Sequence, residues 1–319
     1  MKIFTRICLG ICLVLVCIGA LCMGAGIALG SGIDEVQQMA DNGELNIGNW
    51  RWSDGIFYVK NSDTDTEDTL RGDLEAAFPQ EEIESFDMDI RYGEIRFLES
   101  STDNIEVVIH APKRNSYVCK NDNGTLKLED KTRTNKWRIG DNSVNIEVSI
   151  PAGKVFDTVK LKTDAGAVDV NYEFQAENID VVLNAGELIA NYFSAEDKFG
   201  IEVGAGNLEI DEFYAEKMEV DCGVGNATLS GAVYEKLEAD CGVGNITLTI
   251  LGKENEYDYE VDCGVGEVHI NDASYSGLSK EKSIDNDADR KIHLDCGVGQ
   301  IELKTLEQEE FNYGTEKTI

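Results

Sequence analysis

Four aspartates and four cysteines recur at one spacing: Asp221-Cys222, Asp240-Cys241, Asp262-Cys263 and Asp295-Cys296, each followed by Gly-Val-Gly. Thiolates bind soft metals or exchange disulfides, and carboxylates bind hard cations or move protons. If the copies stack as neighbouring strands, each column repeats at about 4.8 Å. A line of thiols is the wrong shape for tetrahedral zinc. Neighbouring pairs would still fall within the ~4.4–6.8 Å Cα separation that a disulfide accepts. The other reading of the column is a ladder of small inward-facing thiols, since Thr163, Leu183 and Val203 hold the same position in earlier copies. The aspartates, one residue out of phase, face outward above Glu202. Stacked carboxylates repel unless solvent screens them or a hard cation bridges them. Asp221, Asp240, Asp262 and Asp295 are therefore the calcium candidates, with a solvated acidic face as the alternative. Neither the nine-residue calcium β-roll repeat nor an EF-hand loop is present.

Other chemistry is sparse. The three histidines, His110, His269 and His293, form no zinc-protease motif and no local triad signature. The Gly-x-Gly units precede strands instead of helices, which excludes a dinucleotide fingerprint. No catalytic residue and no cofactor is expected beyond the calcium candidates.

The elements that position these residues follow from an internal repeat. Its copies read LKTDAGAVDV, VVLNAGELIA, IEVGAGNLEI, VDCGVGNATL, ADCGVGNITL, VDCGVGEVHI and LDCGVGQIEL. The shared glycines, Gly166, Gly186, Gly206, Gly225, Gly244, Gly266 and Gly299, are spaced by 20, 20, 19, 19, 22 and 33 residues, about one solenoid coil each. Leu237, Ala239, Cys241 and Val243 alternate as a strand, and Ile246 and Leu248 resume the alternation out of phase. Ile292, Leu294, Cys296 and Val298 followed by Ile301 and Leu303 repeat the break. The chain must therefore turn near each shared glycine. Phe86, Met88, Ile90 and Tyr92, then Ile95 and Phe97, suggest a divergent eighth copy around Gly93-Glu94. Two residues before each glycine stand Asp164, Asn184, Gly204, Gly223, Gly242, Gly264 and Gly297, types that tolerate a left-handed backbone. This pattern predicts an all-β parallel solenoid of seven to eight coils, with an antiparallel sandwich as the competing fold. Strands are also expected at Ile105–His110, Ser116–Lys120, Thr125–Glu129 and Asn145–Ile150, with a hairpin at Asn123-Gly124. Ala273–Arg290 reads as a polar loop.

The flanks are different. An apolar run from Ile7 to Leu29, with Lys2 and Arg6 before it and Asp34 and Glu35 after it, has the ~20-residue length of a membrane span and the charge bias that puts residues 31–319 outside the cytoplasm. A cleaved signal peptide ending near Ala28-Leu29-Gly30 is the rival. Residues 1–30 form the anchor, 31–85 a short helix (31–41) and an acidic linker (61–85), 86–306 the solenoid and 307–319 a tail. Trp50, Trp52, Phe57 and Tyr58 cluster within the second segment. A formal charge of −33, from 61 acidic and 28 basic residues, repels phosphate backbones and excludes nucleic acid as a partner.

With its anchor, the run VNIEVSIPAGKVFDTVKLKTDAGAVDV at 144–170 and the strand-Gly-strand units up to about residue 304, the chain resembles the bacterial "putative adhesin" domain family of anchored envelope proteins from Gram-positive bacteria. The resemblance implies a β-solenoid on the outer face and, for some members, a link to envelope stress. It implies no biochemical activity and carries over no functional residue.

The expected function is a membrane-anchored, extracytoplasmic binding or structural protein of the cell envelope, with an envelope protein or glycan as partner. The alternatives are a regulatory component of an envelope-stress response, or a polysaccharide-cleaving β-helix working through an acidic pair.

Overall fold

A computed structural model describes residues 73–112, 115–132, 144–276 and 280–307, together with the backbone of the short strands at 46–47, 50–53, 56–59 and 70–71. The expected anchor at 7–29, the helix at 31–41 and the tail after Glu307 lie outside the described residues. No helix among those described is long and apolar enough to cross a membrane.

The chain divides into two units. In the first, β1 (Asn46–Ile47), β2 (Trp50–Ser53) and β3 (Ile56–Val59) form an antiparallel sheet in the order β1-β2-β3. The Trp50, Trp52, Phe57 and Tyr58 cluster therefore belongs to a meander, with Trp52 opposite Phe57.

The second unit is all-β and built from parallel coils. Strand β6 (Ser85–Ser100) pairs in parallel with β11 (Val155–Val170), placing Gly93 beside Gly166. Next, β11 pairs in parallel with the start of β12 (Phe174–Leu251), placing Gly166 beside Gly186. The end of β12 pairs in parallel with β17 (Arg290–Leu306), placing Gly244 beside Gly299. One-repeat register of this kind is the arrangement of a β-solenoid, and an antiparallel sandwich does not produce it. The divergent copy at Phe86–Phe97 is the coil built by β6.

The shared glycine is required at each bend. A Cβ at Gly166, Gly186, Gly206, Gly225, Gly244 or Gly299 would collide with the carbonyl oxygen of the glycine one coil away. Several also have a positive φ, +148° at Gly244 for example, where an L side chain is strained. The column two residues earlier departs from expectation: Asp164, Asn184, Gly204, Gly223, Gly242, Gly264 and Gly297 all lack a positive φ. Close coil approach explains the small residues instead. A Cβ on Gly242 would sit 2.7 Å from the Gly223 carbonyl oxygen, and one on Gly297 2.8 Å from that of Gly242. In the earlier copies, Asn184 reaches the Asp164 carboxylate at 2.8 Å.

Inward residues build one continuous core. Its early coils are aromatic, with Phe174 stacked on Phe193 at 5.7 Å and Phe199 edge-on to Phe213 at 6.1 Å. The coils of Gly225, Gly244 and Gly299 replace these rings by Leu, Ala and Cys, and Tyr257 and Tyr259 bring rings back in the outermost coil.

Coil order in space is not chain order. Strand β13 (Tyr257–Cys263) and strand β14 (Glu267–Ile270) form one coil, broken at its bend, that pairs in parallel with the far side of β17. The last repeat of the chain is thus inserted between the fifth and the sixth. The reading of Ala273–Arg290 as a polar loop is also corrected. Ala273–Ser276 (β15) runs antiparallel to β14, and Lys280–Ile284 (β16) antiparallel to β13. They cover an edge that would otherwise expose unpaired backbone groups.

The opposite end is built alike. The four expected strands are present as β7 (Asn104–His110), β8 (Ser116–Asp122), β9 (Thr125–Asp130) and β10 (Asn145–Pro151). Strands β9 and β10 pair in parallel with the two halves of β6. Antiparallel β8 and β7 cover them in turn. Asn123 and Gly124, at φ 52° and 85°, make the β8–β9 turn, as a type I′ hairpin requires. The acidic stretch expected as a linker contributes to this cap: Leu74–Pro79 (β5) pairs with β7, and Leu70–Arg71 (β4) with β8. Leu74 is buried there, and Ala76 and Phe78 pack against the core on the same side.

Candidate interaction surface

Four outward rows and one inward row run along the later coils. Residues four positions before each shared glycine stack as Glu202, Asp221, Asp240, Asp295 and Asp262, because Asp295 pairs with Asp240 on one side and Asp262 on the other. Burial, and then the neighbouring Asp295 carboxylate, push Asp240 above the usual carboxylate range. In-register stacking spreads these groups along a line. Among the described residues, no three His, Cys, Asp or Glu side chains converge to hold a metal ion. The calcium candidates are thus a ladder without a cage.

Beside them runs a row the sequence reading missed. Lys198, Lys217, Lys236 and Lys291 stand four residues before Glu202, Asp221, Asp240 and Asp295, with Lys236 and Lys291 in register. Lys198 pairs with Glu219, Lys217 with Asp197 at 3.0 Å, and Lys236 with Glu238 at 2.5 Å. The recurrent Lys-x-x-x-acid spacing was the available signal. These pairs are solvent-exposed, so each contributes little to stability, but together they offset part of the acidic face.

The inward row is Cys222, Cys241, Cys296 and Cys263, all buried, continuing the column of Thr163, Leu183 and Val203. Cys222, Cys241 and Cys296 carry free thiols, and Cys263 donates to the Gly266 carbonyl at 3.0 Å. The row is the ladder of inward thiols and not a set of disulfides. Burial raises all three free thiols, Cys296 to about 11, which keeps them protonated and unreactive at neutral pH.

The alternation ends at the cysteines. Val243 and Val298, expected to face inward, are 50% and 51% exposed, with Val224 at 56% and Val265 at 69%. The bend begins one residue earlier than the periodicity implied and turns these valines out between two glycine columns. A further outward row follows each glycine: the Asn226 amide donates to Asn207 at 3.0 Å, and Asn245 to Asn226 at 3.0 Å, with Gln300 in register with Asn245. The sequence shows it as Gly-Asn, Gly-Asn, Gly-Asn and Gly-Gln in successive positions of the stack.

The histidines do not meet. His110 lies on β7, His269 on β14 near Glu267 at 3.3 Å, and His293 on β17 near Glu260 at 3.6 Å. Three depressions among the described residues of this unit are partly open to solvent. One lies over Gly200 between Asp180 and Glu219, one beside His293 and Glu260, and one beside Ile189, Asn207 and Thr228.

A profile of the Toastrack DUF4097 family matches residues 82–294. Among solved structures, the chain is similar to a "putative cell adhesion protein" from Clostridium sporogenes, with 12% identity over 74% of this chain and 100% of that one and a TM-score of 0.32. A "putative adhesin" from Bacteroides fragilis is 13% identical over 72% of this chain and 96% of its own, with a TM-score of 0.30. A "putative lipid binding protein" from Parabacteroides distasonis is 10% identical over 72% of this chain and 96% of its own, with a TM-score of 0.22. No curated protein matches the sequence.

Proposed function

The chain belongs to the Toastrack DUF4097 family, and on that premise we propose that it is an adhesin-like binding element of a bacterial cell envelope. Residues 7–29 hold it to the membrane, and the solenoid stands outside the cytoplasm. The observation that carries this reading is the set of in-register outward rows, acidic, basic, valine and carboxamide, repeated coil after coil. Rows of equivalent groups at constant spacing suit an extended partner. Catalysis needs unlike groups converging on one atom, and the three histidines and the aspartate row are not so arranged. The charge bias around Ile7–Leu29 supports the orientation.

Two measurements test it. Isolated cell envelopes should retain the purified chain, and retention should fall with added salt if the charged rows take part. A cysteine introduced at Ser276, exposed on β15, should react with a membrane-impermeant maleimide in intact cells. Protection of that site until lysis would refute the orientation, and envelopes that fail to retain the chain would refute the binding role.

A further inference from the structure

The protein is acidic almost everywhere, with 61 acidic and 28 basic residues among 319, yet one outward plane carries no charge. Positions one, three and five after the shared glycine are Asn226, Thr228 and Ser230 in one coil, and Asn245, Thr247 and Thr249 in the next. The same positions hold Asn207, Glu209 and Asp211 in the preceding coil, and Gln300, Glu302 and Lys304 in the following one. Charge therefore returns at the third and fifth positions on both sides. Along the bend, the plane is rimmed by the exposed valines Val224, Val243 and Val298.

The plane is also preorganised. Asn226 donates one N–H to Asn207 and accepts one from Asn245. A carboxamide has two donors and two acceptor sites, so Asn226 keeps one of each for a partner, and Asn245 keeps one donor and its acceptor oxygen. Thr228 and Thr247 add hydroxyls of the same dual character, Thr228 exposed and Thr247 half-buried. On a rigid sheet these groups recur at about 4.8 Å. At one edge, a depression beside Asn226 and Thr228 is lined by Glu187 and Glu209 as well as Ile189 and Asn207, so the uncharged area ends there.

We infer that this charge-free plane binds a neutral, hydroxyl-rich polysaccharide lying against the coils of Gly225 and Gly244. Sugar hydroxyls donate and accept at once, matching the carboxamide donors and acceptors of Asn226 and Asn245 and the hydroxyls of Thr228 and Thr247. The carbon-bound hydrogens of a sugar ring are apolar and fit the valine rim. An anionic polymer finds no cation on the plane and meets the net charge of −33 around it. A lipid surface would need a broader apolar area than one valine row supplies. This assignment rests on the binding role proposed above and names its ligand class.

The test uses the full chain in a polyoxyethylene detergent, which has no sugar headgroup to compete. Calorimetric titration with chitohexaose and xylohexaose is compared with hexagalacturonate, an anionic hexasaccharide. A neutral hexamer should bind and hexagalacturonate should not. The double variant Thr228→Glu/Thr247→Glu should weaken that binding by about tenfold or more, because two carboxylates would be desolvated without partners, while its melting temperature stays near that of the parent. The inference is overturned if neither neutral hexamer binds, or if the double variant binds as well as the parent. It is also overturned if the parent self-associates and the variant abolishes only that, which would assign the plane to a second copy. Envelopes that retain parent and variant alike, without neutral-sugar binding, would discard the glycan plane and leave the broader role standing. Envelopes that retain neither would discard both.

Discussion

Replacing Gly244 by alanine places one methyl group where the stack has no room. Its φ of +148° is a region that costs a non-glycine residue about 1–3 kcal/mol. The new Cβ would also meet the carbonyl oxygen of Gly225, with that residue's nitrogen and carbonyl carbon 2.9 Å away. These are backbone atoms that cannot rotate aside, so overpacking adds about 1–3 kcal/mol. Reduced freedom of the unfolded chain returns about 0.4–1 kcal/mol. The net loss is about 2–5 kcal/mol, and at ~2–4 °C per kcal/mol for a domain of this size the melting temperature should fall by about 4–20 °C. Gly200→Ala is the matched comparison. Gly200 has no positive φ, and the nearest atom to its Cβ is the flexible Asp180 carboxylate at 3.4 Å. That variant should match the parent or melt about 1–4 °C higher. Calorimetry on both, with circular dichroism to confirm retained strand content, decides the matter. Equal melting temperatures for the two variants would refute the claim that coil approach dictates the glycine column.

Asp240→Asn removes a carboxylate held above the usual range by burial and by Asp295. In the folded state this group binds its proton more tightly than in the unfolded chain, so its stability contribution is complete below the ordinary value of 3.8 and is lost as pH rises through the raised one. The variant should therefore melt higher than the parent at neutral pH, with the difference vanishing in acid; a difference that grows in acid would contradict the assignment. Cys222, Cys241 and Cys296 should resist alkylation at neutral pH in the folded chain and react on unfolding, since burial raises all three; labelling of Cys241 at the rate of a free thiol would argue against an inward row. A chain ended before Arg290 lacks β17 and leaves β12 and β13 without their shared neighbour. Limited proteolysis should then cut between Tyr257 and Ile284, and an unchanged digestion pattern would show that β17 is dispensable.

The repeat made most of the fold legible, because alternation, phase break and shared glycine report one coil at a time. What lay outside it was harder to read. Val243 was misplaced because period-two alternation gives no sign of which residue begins the bend. The second small-residue column was credited to backbone conformation, when the distance between Gly242 and the Gly223 carbonyl is a property of neighbouring coils that no single copy displays. Leu74, Ala76 and Phe78 alternate toward the core, a pattern three residues long inside an acidic run and too short to stand out from a linker. The Asn226 and Lys217 rows were written in the sequence at constant offsets. Neither residue type signals reactive chemistry, whereas a stack gives meaning to any outward position that recurs.

The inversion of coil order bears on how such a stack can be used. At each end a continuous coil, β6 or β17, lies inside a coil broken at its bend, and antiparallel strands cover that outer coil. An open parallel edge would invite another solenoid to continue the ladder, and fibres would follow. Two broken coils with reversed outer strands remove that template. The array then has a fixed length, set by the eight glycine-bearing coils from Gly93 to Gly266. A partner must approach from the side, across the rows, and meets Asp221, Asp240, Asp295 and Asp262 in that order, with no gap where the chain itself has made a 33-residue detour. Inserting the last repeat between the fifth and sixth therefore keeps the lateral surface regular while the sequence between its copies is spent on closing the end.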